Sequence, residues 1–207
     1  MSLGIALGII DTVVGIAGST ATVASYLEST NAEKSIIVSI SNHTVHGMYG
    51  GQIKLHSGQG MDILASNISS GQTFVYAANN RPGMREGVKG VITYKTYTPG
   101  ANNTNNPSCT ICVFFENPYS SNNGTLLTRF NVQADYNVNE ASNTSLVNWI
   151  DQGSKNAADH WEVYDTWAEN NGGSHYWVEA YMTNANPAKL EIHIHGRGNN
   201  DIGQNAT

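Results

Sequence analysis

Few residues of this chain have types and spacings that could do chemistry. His193 and His195, in "KLEIHIHG", stand two apart, so on a strand they would share a face and could ligate a metal ion together. His43 and His46 make a looser pair. No carboxylate or cysteine stands at a matching spacing, and histidines satisfied by their neighbours are the simpler reading, so neither a metal nor a cofactor is expected. Cys109 and Cys112, in "SCTICVFF", fall on a strand-like run. Residues three apart on a strand point to opposite faces, which disfavours a bond between them, and one CxxC without a second is a weak zinc motif. They read as small strand residues and leave the redox compartment open. There is no GxSxG, no HExxH and no phosphate-binding loop, so the chain is expected not to be an enzyme.

Binding chemistry is better represented. Trp161, Tyr164 and Trp167 crowd into "HWEVYDTW". Aromatics on polar loops can stack on sugar rings while Asn and Asp supply hydrogen bonds; equally, Trp161 and Trp167 could be core residues. Charged residues make up 13% of the 207 positions and the formal net charge is -6. With a pI near 5.5, this balance argues against nucleic acid or a strongly anionic membrane, since both reward a basic patch. A membrane target would have to attract the chain through headgroup chemistry.

The elements that must position these residues are short. Apolar and β-branched runs recur at 35–43, 50–58, 61–66, 72–78, 88–97, 109–117, 126–135, 175–183 and 189–196, separated by turn signals. Such regular spacing predicts a mainly β protein, a sandwich or barrel, in a single domain over 1–207. The sandwich itself is placed at 34–196, with a loose tail at 197–207. Two stretches break the rhythm. Residues 140–168 show helical spacing between Leu146, Trp149 and Ile150 and read as a short helix followed by an irregular aromatic-rich segment.

The other is the opening, "MSLGIALGIIDTVVGIAGST". On a helix, Gly4, Gly8, Asp11, Thr12, Gly15, Gly18, Ser19 and Thr22 fall on one narrow stripe, with Thr20 a misfit. Ile5, Leu7, Ile9, Ile10, Val13, Val14 and Ile16 cover the rest. Each internal glycine costs about 1 kcal/mol relative to alanine, so packing or a membrane must stabilise such a helix. Residues 3–22 would rise about 30 Å, enough to cross a bilayer core. A signal peptide is disfavoured because no Lys or Arg precedes Lys34 and Asp11 interrupts the apolar run. A permanent anchor is disfavoured by Asp11 and the glycines. A buried helix packed on the strands and a helix that packs in solution and inserts later both stay open.

Several local motifs match one family. "LHSG" at 55–58 followed by "MDIL", "RPGMREGVKGV" at 81–91, "CVFFENPYSSN" at 112–122 and "AKLEIHI" at 188–194 resemble successive strands and turns of the actinoporins, the sea-anemone type of α-pore-forming toxin, and their relatives. The resemblance covers roughly residues 3–195. It implies a β-sandwich flanked by an N-terminal amphipathic helix, at 1–28, and a second short helix. It implies a soluble protein, secreted or released, that binds membrane lipid, self-assembles on the target-cell membrane and inserts its first helix.

In that scheme the apolar residues from Ile5 to Ile16 would face lipid, and Asp11, Thr12, Ser19 and Thr22 would line a cation-favouring lumen. Ser57, Pro118 and Tyr119 would inherit places in a phosphocholine pocket that favours sphingolipid. Trp149, on the second helix, stands in for the family's row of tyrosines, and Trp161 is a candidate replacement lipid contact. The chain departs from the family at the headgroup end. Ser120–Gly124 replaces an aromatic cluster, Glu116 a pocket serine, Lys89 an apolar residue and His56 an arginine. A different headgroup or a glycan is therefore also implied as partner, and the alternative to a pore former is a non-lytic lectin or lipid-binding module on the same sandwich.

Overall fold

A computed structural model describes residues 19–62, 64–97, 107–119, 128–135, 155–157, 160–166 and 176–196. The described residues form one helix, α1 (Ser19–Thr30), and twelve strands: β1 (Ser35–Asn42), β2 (Met48–Ser57), β3 (Gln59–Gly60), β4 (Asn67–Ile68), β5 (Thr73–Asn79), β6 (Val88–Tyr97), β7 (Pro107–Asn117), β8 (Thr128–Asp135), β9 (Lys155–Ala157), β10 (His160–Thr166), β11 (Tyr176–Met182) and β12 (Ala188–Gly196). They form two six-stranded sheets, in the orders β10-β11-β12-β1-β5-β3 and β4-β2-β6-β7-β8-β9. β1 and β12 run parallel.

Alternation explains the sandwich. Along β11 and β12 every second residue is buried, from Tyr176 to Met182 and from Ala188 to Gly196. Their inward side chains meet those of the facing sheet in one core that includes Ile36, Val38, Ile40, Phe74, Val113, Phe115 and Phe130. Each fully buried aliphatic or aromatic side chain of this kind stabilises the fold by about 1.5–3 kcal/mol. A one-residue slip of either strand would turn its whole apolar set to solvent, which fixes the register.

β1 differs in being buried on both faces. Its inner residues join the main core, and its outer Ile37 joins Val75 and Ala77 of β5 in a separate cluster with Val23 of α1. Tyr26 and Leu27 pack on the same cluster. The Tyr26 hydroxyl donates to Asn79 Oδ1, stitching the helix to β5. The helix stops where Asn31 takes a positive φ of 43°, a left-handed conformation that asparagine tolerates. Ser29 and Thr30 hydroxyls donate back to the carbonyls of Tyr26 and Leu27, at 2.8 and 3.2 Å, satisfying acceptors of the last turn.

The mainly β sandwich expected from the sequence is the observed architecture, with two corrections. Residues 160–166 are not irregular: they form β10, paired along its length with β11. The outward phase of this edge strand carries Trp161 and Val163, 53% and 62% exposed, so its apolar alternation marks a surface and not the core. The run at 61–66 is no strand; Met61, Leu64 and Ala65 pack on the core from a loop. Of the anticipated N-terminal helix, Ser19–Thr30 is helical. Ile5 to Ile16, with Asp11 and Thr12, lie outside the described residues, as do Trp149 with the second short helix, the side chains of Ser19 and Thr22, and the tail at 197–207. Among the described residues no helix is long and apolar enough to cross a membrane.

Candidate functional site

Three of the anticipated lipid contacts converge at one end of the sandwich. Ser57 ends β2, and its hydroxyl donates to the Gly87 carbonyl at 3.0 Å. Gly87 in turn lies against the turn after β7: a Cβ there would sit 2.8 Å from Pro118 Cα and 2.9 Å from Tyr119 N. Only a residue without a side chain lets the two loops approach so closely. Gly87 was not singled out from the sequence, although it stands in the glycine-spaced run that carried the resemblance. The Tyr119 hydroxyl donates to the Glu33 carboxylate, and this bond, more than the lowering influence of Arg85, raises the phenol above its ordinary pKa.

Two of the departures from the actinoporin pattern, Lys89 and Glu116, lie in a single row. Ser57 pairs with Lys89 across β2 and β6, Lys89 with Glu116 across β6 and β7, and Glu116 with Arg129 across β7 and β8. The Arg129 guanidinium donates to Glu116 from Nε at 2.7 Å. The Lys89 ammonium lies 5.5 Å above the Phe114 ring, a distance at which a cation is attracted to the π face. A serine and an apolar residue of the family pattern have thus become a line of alternating charge, two cations around one carboxylate. Next to it, Arg81 holds Glu86 with two hydrogen bonds, at 2.6 and 2.8 Å. That clamp lowers the Glu86 carboxyl to about 2. His56, where the family carries arginine, is exposed.

Trp161 does not join this end. It stands on the outer face of the other sheet, in a row with Tyr181 and Glu191 and, through β12, Ser39 of β1. The next row holds Val163, Glu179, His193 and Ser41. Its indole centroid is 4.9 Å from the Tyr181 ring and 6.3 Å from that of His193. The histidine pairs seen in the sequence interlock here in an unexpected combination. His43 stacks on His195 with centroids 4.5 Å apart and on His193 at 5.3 Å, and Trp177 stacks on the other side of His195 at 4.1 Å.

His43 Nε2 and His193 Nδ1 are 3.0 Å apart and share a hydrogen bond. Burial, with His195 nearby, lowers the His193 pKa against the opposing pull of Glu179. His43 and His193 therefore serve one another. No group of three potential metal ligands converges among the described residues. Cys112 is a buried thiol on β7, and the side chain of Cys109 lies outside the described residues.

No protein-family model and no curated protein matches the sequence. Among solved structures the chain is similar to the lipid binding protein Nakanori, with a TM-score of 0.61 at 16% identity, over 85% of this chain and 78% of that one. A weaker likeness is to the RahU protein, solved in complex with a TRIS molecule (TM-score 0.40, 11% identity, 80% of this chain and 96% of that one). A third is IP-1A from Alcaligenes faecalis (TM-score 0.41, 9% identity, 83% of this chain and 97% of that one). At such identity the likeness to Nakanori is one of fold alone.

Proposed function

We propose that the protein binds membrane lipid through the end of the sandwich where Ser57, Gly87, Pro118 and Tyr119 meet. The observation that carries this reading is the row Ser57–Lys89–Glu116–Arg129 beside that junction. That row sets two cations around one carboxylate, on a chain whose net charge is -6. A zwitterionic headgroup fits it: the phosphate faces Lys89 and Arg129, while the choline-like cation is left to the Tyr119 ring and Glu33. The fold shared with a lipid binding protein supports the reading. The role is one of binding and not of catalysis.

Membrane insertion is the second step of the proposal. What favours it is the separateness of the helix cluster: Val23, Ile37, Val75 and Ala77 form their own small core, so α1 can leave without opening the main one. The segment before it, with Asp11 and Thr12 on one stripe, then lines a cation-favouring pore made by several copies. Two assays on vesicles of phosphatidylcholine with and without sphingomyelin separate the steps. Co-flotation reports binding, and release of an entrapped dye reports insertion. Removing residues 1–18 leaves the α1 clamp in place and is expected to abolish release while flotation persists. Flotation without release by the full chain would reduce the protein to a non-lytic lipid-binding module, and no flotation on either vesicle would remove the lipid reading.

A further inference from the structure

The outer face of the first sheet beyond α1 carries a second binding surface, independent of the lipid reading. Its centre is Trp161, a large side chain left 53% exposed on an edge strand. The Tyr181 and His193 rings lie beside the indole, tilted 34° and 36° to it, and the indole keeps half its surface open. Around it stand hydrogen-bonding groups: Glu191 lies one strand beyond Tyr181 in the same row, and Glu179 and His193 occupy the next row.

The surrounding chemistry selects the ligand class. A bilayer or an apolar protein surface would strip water from Glu179 and Glu191, which is costly. A quaternary ammonium is best held by several ring faces, but the Tyr181 ring is turned toward Trp161 and only one face is offered. His43 and His193 share a hydrogen bond, and no metal set forms among the described residues. A pyranose ring answers every feature: its C–H face lies on the indole, and its hydroxyls meet carboxylate acceptors and an imidazole at the rim. Two carboxylates against Lys189, the cation beside Glu191, disfavour an acidic sugar.

We propose that the Trp161 face binds the pyranose ring of a neutral glycan. The full chain is applied to an array of neutral and sialylated oligosaccharides, and the best neutral binder is then titrated in solution. Neutral glycans are retained and sialylated ones are not. Trp161→Ala weakens binding by about tenfold or more, the scale of a lost ring stack, and Trp161→Phe by less. Glu179→Gln also weakens it, whereas Ser57→Ala, on the other sheet, leaves it unchanged. Since Trp161 is exposed, its variants keep the far-ultraviolet circular dichroism and melting temperature of the parent. Retention of no neutral glycan, or equal retention by Trp161→Ala, overturns the proposal. So does loss of flotation on sugar-free phosphatidylcholine vesicles by Trp161→Ala, which would make the indole a bilayer anchor.

Discussion

The outer face of the first sheet has two halves, and they were built for different neighbours. Where α1 lies, the strands present Ile37, Val75 and Ala77, small or branched apolar groups that a helix can seal. Where no described element lies, β10 to β12 present Trp161, Tyr181, Trp177, His193 and His195, rings with polar edges that tolerate water on one side. The difference teaches how to read exposure on a strand face. An aliphatic outer face implies a permanent or slow cover, and an aromatic and imidazole face implies an intermittent one.

The sharpest way to break that comparison is to cut each half. Ile37→Ala removes a buried side chain from the helix side and is expected to lower the stability in urea unfolding by about 2–5 kcal/mol. Val163→Ala, on the open side, should stay within about 0.5 kcal/mol. Equal losses would mean that both halves are covered alike. At the proposed lipid-binding end, Gly87→Ala forces apart loops that now touch, with an expected loss of about 1–3 kcal/mol and weaker vesicle flotation.

Smaller effects sharpen the contrast through pH. Burial, reinforced by Asp62, raises the Tyr26 phenol on the helix side to about 12. Its contribution is therefore fully present below pH 10 and is lost as the pH rises toward 12, and Tyr26→Phe should flatten part of that alkaline slope in urea titrations. The open half responds at the other extreme. The lowered pKa of His193 means that its contribution is present above pH 6.5 and is lost as the pH falls further. Glu191, whose carboxyl is raised by burial despite Lys189, works in the opposite direction below that range. His193→Gln should remove the part of the acidic slope that His193 contributes, leaving that of Glu191 to be read alone.

Legibility followed the same division. β6 was placed to the residue, and β11 and β12 to within one, because strict alternation against a continuous core leaves the chain little choice. β10 was missed because its apolar residues face outward, and the 61–66 run was misread because a loop can also bury Met61 and Leu64. At the candidate site, Ser57, Pro118 and Tyr119 were legible through motif resemblance. Gly87, which holds them together, was not, since a close approach between loops leaves no periodic signal. The union of His43 with His193 and His195 depends on a strand pairing between positions 150 residues apart, and nothing in local sequence announces it.

The central claim is that lipid is held at the Ser57–Tyr119 end and not on the Trp161 face. Flotation of the wild type, Lys89→Glu and Trp161→Ala on phosphatidylcholine–sphingomyelin vesicles tests it most directly. The account predicts that wild type and Trp161→Ala rise with the vesicles and that Lys89→Glu stays behind. Flotation of Lys89→Glu with failure of Trp161→Ala would contradict it.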